Sequence, residues 1–261
     1  MLYYIIIAQE WQNGKRKGAL IMRLIICKNY DEVSEKAAEF VRSQVMLKAN
    51  SVLGLATGST PLGMYERLCL MKESGEVDFS GVTTFNLDEY YPIAPDNEQS
   101  YHYYMKKNFF DRAGVPEENI HIPSGSTPDA EEECRRYDEA IKKAGGIDLQ
   151  ILGIGRNGHI GFNEPNENLD SRTHVVTLTE NTIAANVRFF EREEDVPRRA
   201  ITMGMGSIMK SKMILLLVSG KAKHNALSGL LTEKINTENP STVLNMHENA
   251  VIICDMEAYN G

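Results

Sequence analysis

Residues 148–165 read DLQILGIGRNGHIGFNEP, and their reading decides the fold. Leu149, Ile151, Leu152 and Ile154 form an apolar run too short for a helix and too uninterrupted for a strand with one wet face, which predicts a central strand covered on both sides. Gly153, Gly155, Gly158 and Gly161 then let the backbone turn tightly and approach a ligand, while Asn157, His159, Asn163 and Glu164 supply amide, imidazole and carboxylate groups. A glycine-rich turn carrying a solvated histidine would look the same locally, so the other strand ends must decide whether this is a site.

Working outward, residues 23–27 predict a first strand, and 31–48 carry Val33, Ala37, Phe40, Val41 and Val45 at helical spacing. Residues 51–56 predict a strand that runs into Thr57, Gly58, Ser59, Thr60 and Pro61, with a helix over 62–72. Pro61 suits the first helical position and a preceding Ser or Thr suits the cap. Glycine clears space, hydroxyls add donors, and the open N–H groups of a helix start favour an anion, so this turn fits a phosphate. It has neither the lysine of a Walker loop nor a G-x-G-x-x-G pattern. Residues 82–86 predict a strand closed by the acids Asp88 and Glu89, where open parallel sheets keep their ligands.

A helix capped by Ser100 comes next, over 101–112, and another is predicted from Thr127 and Pro128 to about residue 143, stopped by Gly145 and Gly146. Further strands are expected over 173–178, 201–203, 213–218 and 251–254, with a helix over 180–192 that carries Arg188. Strand 213–218 meets Ser219, Gly220, Lys221, Ala222 and Lys223, a second strand-glycine-helix junction, now with lysines. The alternation predicts an α/β, Rossmann-like three-layer fold with a mostly parallel central sheet and helices on both faces. A glycine-hydroxyl turn, an acidic pair, a His/Glu loop and a glycine-lysine turn at four strand ends describe one pocket for a small phosphorylated substrate.

The 261 residues contain no Ser/Gly-rich linker or repeat, and the net charge of −8 argues against a general nucleic-acid or anionic-membrane surface. Cys27, Cys69, Cys134 and Cys254 are widely spaced and form no C-x-x-C pair, as in a reduced cytoplasmic protein. No apolar run approaches a membrane span, and residues 2–8 lack the basic flank of a secretion signal. Residues 1–21 fit poorly with the strand-and-helix pattern that begins at Met22. They are expected to be a mis-started extension, because Lys17, Gly18 and Ala19 are compatible with purine-rich codons resembling a ribosome-binding site just before Met22. The alternative is an extra strand, YYIII. Residues 22–261 are expected to be a single domain.

From about residue 22 onward the sequence resembles the glucosamine-6-phosphate deaminase (isomerase) family. LGLATGSTP is similar to its phosphate turn, TFNLDEY to its acidic strand end and GIGRNGHIGFNEP to its catalytic loop, with SRT, ANVRFF and SGKAK in family order. The resemblance implies conversion of glucosamine 6-phosphate to fructose 6-phosphate and ammonia without metal or organic cofactor. It makes Asp88 the base that moves the C2 proton to C1, and His159 the group that moves the ring-oxygen proton, with Glu164 orienting it. Gly58, Ser59, Thr60, Arg188 and Lys223 would hold the phosphate. Lys221 competes for that role, but spacing from the glycine favours Lys223. Many relatives have Asp where this chain has Asn157; an amide cannot accept a proton at neutral pH, so Asn157 is expected to orient the catalytic groups by hydrogen bonding.

The expected partners are an amino-sugar phosphate and, at most, further copies of the chain as a low-order homo-oligomer. A deaminase for galactosamine 6-phosphate is a close alternative, because epimers differ by little binding energy. A 6-phosphogluconolactonase would carry a different run after the Gly-His pair. A sugar-phosphate sensor would need an output module, and a metal hydrolase a ligand spacing that Asp88, His159 and Glu164 do not have.

Overall fold

The structure, a computed structural model, describes residues 22–179, 183, 192 and 196–261 together with the backbone of Tyr3–Ile6. Eight strands form one sheet: β1 (Tyr3–Ile6), β2 (Arg23–Cys27), β3 (Val52–Leu55), β4 (Thr83–Asn86), β6 (Ile120–His121), β7 (Leu149–Gly153), β10 (Ile214–Val218) and β11 (Ala250–Asp255). Their order is β1-β2-β11-β10-β7-β3-β4-β6. From β2 to β6 every pairing is parallel, and β1 lies antiparallel to β2. β7 sits in the middle, as its uninterrupted apolar run requires.

Alternation along each strand divides the core. Leu53, Leu149, Leu215 and Val251 face helices Tyr30–Leu47 and Leu62–Glu73, whereas Val52, Leu152, Leu216 and Ile252 face helices Ala130–Lys143 and His224–Leu230. Each fully buried aliphatic side chain contributes about 1.5–3 kcal/mol, so two such layers hold the intervening strands and their ends in register.

A second sheet was not foreseen. Asp88 and Glu89 do not simply close β4; they open β5 (Asp88–Tyr91), which pairs antiparallel with β9 (Arg199–Thr202), itself paired with β8 (His174–Thr177). Tyr90, Phe162 and Ala200 form a small core there, with Tyr101 stacked on Phe162. Two caps also differ from expectation. Pro61 itself occupies the cap position of helix Leu62–Glu73 without a side-chain hydrogen bond, and Asp129, not Thr127, caps Ala130–Lys143. The helix expected over 180–192 lies outside the described residues apart from Ile183 and Arg192.

At the opposite end of β7, buried Asp148 accepts from Lys48 Nζ and Lys212 Nζ, each at 2.7 Å, and from the Val52 N–H at 2.8 Å. Burial raises the carboxyl's pKa, but the lysines and the amide outweigh it and hold it below the usual value. A depressed carboxylate contributes stability above its unfolded pKa of about 4 and loses it as pH falls through the folded value. Asp148→Asn should therefore lower unfolding stability by about 1–3 kcal/mol at pH 7, toward the lower end because both lysines reach solvent. Urea midpoints at pH 7 and pH 3 check this: the difference between the two proteins should shrink at the lower pH.

Candidate active site

The strand order places four turns side by side at the C-terminal edge of the sheet, those after β10, β7, β3 and β4. Between β7 and β3 the chain reverses its direction of travel across the sheet, which opens a crevice in folds of this type. The sequence-predicted residues Gly58–Thr60, Asp88, Asn157–Glu164 and Lys223 all lie on or directly after these strand ends. Arg188 lies outside the described residues.

Asp88 and Glu89 are nearly inaccessible, 5% and 1% exposed, yet their surroundings differ. Glu89 Oε1 accepts from the N–H groups of Tyr90 and Tyr101 and Oε2 from that of His102, each at 2.9 Å, which ties β5 to the start of helix Tyr101–Met105. No described residue donates a hydrogen bond to the Asp88 carboxylate. Burial, and secondarily the neighbouring Glu89 charge, pushes Asp88 up to about 8. Glu89 is also raised by burial, against the pull of its three amides, so it is the more acidic of the two. A carboxyl group without internal donors is free to take up a proton from a ligand.

The loop after β7 is shaped to meet that carboxylate. Gly161 adopts a φ of +58°, and a Cβ there would lie 3.1 Å from Asp88 Oδ2 and 3.0 Å from Thr202 Oγ1. Thr202 Oγ1 accepts from the Phe162 N–H at 3.2 Å, and Asn163 Nδ2 donates to the carbonyls of Ile160 and Met203, which pins the loop against β9. Upstream, the His159 ring lies over Gly155, where any Cβ would fall 2.4 Å from Nδ1. At Gly155 the close approach of the ring calls for glycine, and at Gly161 a tight fit is added to a left-handed φ.

His159 Nδ1 is 3.3 Å from Glu164 Oε2 without forming a hydrogen bond to it, and Nδ1 has no hydrogen-bond partner among the described residues. The same Glu164 oxygen accepts from Asn157 Nδ2 at 2.6 Å, while Asn157 Oδ1 accepts from the His159 N–H at 3.2 Å. One acceptor and one donor fix the Asn157 amide in a single orientation. Asn157 thus bonds both members of the His159–Glu164 pair, as donor to the carboxylate and acceptor from the backbone.

The phosphate-type turn is organised by tyrosines that sequence reasoning missed. Tyr30 Oη donates to the Ser59 carbonyl at 2.9 Å and accepts from the Gly63 N–H at 2.8 Å; Tyr104 Oη donates to the Gly58 carbonyl and Tyr65 Oη to that of Ala56, both at 2.7 Å. Gly58 has a φ of +99°. Buried Asp255, at the end of β11, likewise holds the lysine turn, accepting from Ser219 Oγ and from the N–H groups of Gly220 and Ala258. These contacts link residues far apart in the chain; only an acid at the end of an apolar strand, as at Asp255, leaves a local signal.

A cavity of about 640 Å³ is lined by Ser59 and Thr60 together with Ser219, so both turns border it. Asp88 and His159 do not line it. Lys223 is half-buried, whereas Lys221 is exposed. Among the described residues no group of three or more His, Cys, Asp or Glu side chains is arranged to hold a metal ion, and no helix is long and apolar enough to cross a membrane.

Residues 28–253 match the family described as glucosamine-6-phosphate isomerases/6-phosphogluconolactonase. Curated relatives include the glucosamine-6-phosphate deaminase of Thermoanaerobacter sp. (strain X514), 60% identical over 91% of this chain and 94% of the relative. That of Clostridioides difficile (strain 630) is 52% identical over 91% and 95%. A solved structure described as a monomeric glucosamine-6-phosphate deaminase is 44% identical, covers 92% of this chain and 99% of its own, and superposes with a TM-score of 0.89. A 6-phosphogluconolactonase from Thermotoga maritima, 23% identical over 89% of this chain and 98% of its own with a TM-score of 0.69, shares the fold.

Proposed function

Because the chain belongs to the glucosamine-6-phosphate isomerase/6-phosphogluconolactonase family, we propose that it converts glucosamine 6-phosphate and water to fructose 6-phosphate and ammonia, in amino-sugar catabolism. The observation that carries the deaminase over the lactonase is Asp88. Moving a hydrogen from carbon to carbon needs a base held out of water with an elevated proton affinity; opening a lactone with water removes no C–H proton. Asp88 is such a carboxylate: buried, without a hydrogen-bond donor among the described residues, and raised to about 8.

In this reading His159 shifts the ring-oxygen proton to open the sugar, with Glu164 and Asn157 holding the imidazole's partner charge and loop. Asp88 takes the C2 proton to form an enolamine and returns it at C1, leaving an imine at C2. Water adds to the imine carbon, and ammonia leaves as the ketone forms. Gly58, Ser59, Thr60, Arg188 and Lys223 hold the phosphate, with Lys223 preferred to Lys221 because it is half-buried on the turn that Asp255 fixes. The scheme uses no metal or organic cofactor. It places the activity in a single domain, residues 22–261, of a cytoplasmic protein acting as a monomer or low-order homo-oligomer; the similar solved structure is described as monomeric.

Parallel assays for ammonia and fructose 6-phosphate from glucosamine 6-phosphate, and for hydrolysis of 6-phosphogluconolactone, test the reading. Ammonia and fructose 6-phosphate should appear in equal amounts; lactone hydrolysis without ammonia would reverse the assignment. Lys223→Ala should raise KM by about tenfold or more and lower kcat less, because a phosphate remote from the reacting carbons chiefly supplies binding energy. Comparable kcat/KM values for glucosamine and its 6-phosphate would show that the phosphate is not recognised.

A further inference from the structure

Arg156 and Lys223 stand at the ends of adjacent parallel strands. Gly153 of β7 is in register with Leu217 of β10; Arg156 lies three residues beyond the first and Lys223 six beyond the second, both at the sheet edge that carries the site. Neither side chain makes a hydrogen bond or ion pair with the described residues. Their proximity is felt electrostatically: burial, and next the Arg156 charge, holds the Lys223 ammonium below its usual pKa. They contrast with Arg112, bonded to Glu66 and Glu73, and with Lys48 and Lys212, both bonded to Asp148. Two neighbouring cations without a counter-charge among the described residues, beside a hydroxyl-bearing turn, form an arrangement that an incoming anion satisfies.

We infer that Arg156 is a substrate-binding residue, its guanidinium closing on the phosphate from the side of the catalytic loop while Lys223 holds it from the lysine turn. The inference rests on the sugar-phosphate reading of the site. It gives that loop a second task. Arg156 directly precedes Asn157, which bonds Glu164 and the His159 backbone, so phosphate seated on Arg156 bears on the segment that carries the imidazole. A planar guanidinium offers paired N–H donors to phosphate oxygens, which an ammonium does not.

The test uses the full-length enzyme with Arg156→Ala and Arg156→Lys, measuring ammonia release from glucosamine 6-phosphate and the competitive inhibition constant of inorganic phosphate. One charge-assisted contact corresponds to about a tenfold change in affinity. Arg156→Ala should raise both KM and the phosphate inhibition constant by about that factor, with a smaller fall in kcat, and Arg156→Lys should recover part of the loss. KM and phosphate inhibition both within a factor of two of wild type in Arg156→Ala would overturn the inference, whatever happens to kcat. Calorimetric titration of inorganic phosphate into both proteins keeps the two readings apart. A wild type that releases no ammonia defeats the deaminase reading, whereas equal phosphate affinity in wild type and Arg156→Ala defeats the role of Arg156.

Discussion

Asp88→Asn should retain near-normal affinity for glucosamine 6-phosphate and lose about 10²-fold or more in kcat, the loss expected when a positioned base is removed. The amide has almost the same shape, so the packing against Gly161 and the pairing of β5 with β9 are kept. Exchange of the C2 hydrogen with solvent is the direct measurement; near-normal exchange in the variant would make Asp88 a structural residue. The raised carboxyl supplies a second readout. Its folded pKa of about 8 lies above the unfolded value of about 4, so the stability associated with the protonated group is present below pH 4 and is lost as pH rises through about 8. Asn carries no such penalty. Asp88→Asn should therefore gain thermal stability relative to wild type as pH is raised from 6 to 9, while wild-type kcat/KM rises over the same range as the base ionises. Activity and stability move in opposite directions because the site keeps a carboxylate where burial disfavours its charge.

His159→Gln should lower kcat by about 10²-fold, within the range for loss of a general acid–base group. The imidazole lies over Gly155 with Glu164 Oε2 3.3 Å from Nδ1, and it belongs to the only part of the site where an imidazole and a carboxylate meet among the described sequence-predicted residues. Glutamine cannot shuttle a proton, but it is small enough to occupy the same space. Since His159 acts on the cyclic sugar and Asp88 on the open chain, an acyclic amino-alditol 6-phosphate should bind the variant as tightly as it binds wild type. A variant with wild-type kcat would remove His159 from ring opening. A variant that also loses affinity for the acyclic compound would mark the substitution as a disturbance of the loop.

The features legible in the sequence are those whose cause is local. Apolar runs of four or five residues, as in β7 and β10, can be stable only when covered on both faces, so they announce a sandwiched parallel sheet. Glycines and hydroxyls just after such runs mark turns where a backbone must come close to a ligand, which located Gly58–Thr60, the loop after Gly153 and the turn at Gly220. Strands were expected near β8 and β9, but β5 begins with two acids and β8 is only partly covered, so nothing local showed that the three pair antiparallel in a sheet of their own.

Tertiary structure decided the rest, for a reason that lies in the range of the forces. A side chain's identity states what it can donate or accept, but its partner is set by packing between segments far apart in sequence. Asp88 and Glu89 are adjacent and chemically alike; three backbone amides, two of them from the helix 12 and 13 residues later, make one a structural anchor, while the other has no donor among the described residues. The Tyr30 hydroxyl reaches Ser59 and Gly63 across 29 and 33 residues, and Arg156 is brought close to Lys223 because β7 and β10 are neighbours in the sheet and not in the chain. Residue types are written along the sequence, whereas desolvation and Coulomb interactions act through space and depend on distances that only the folded chain fixes.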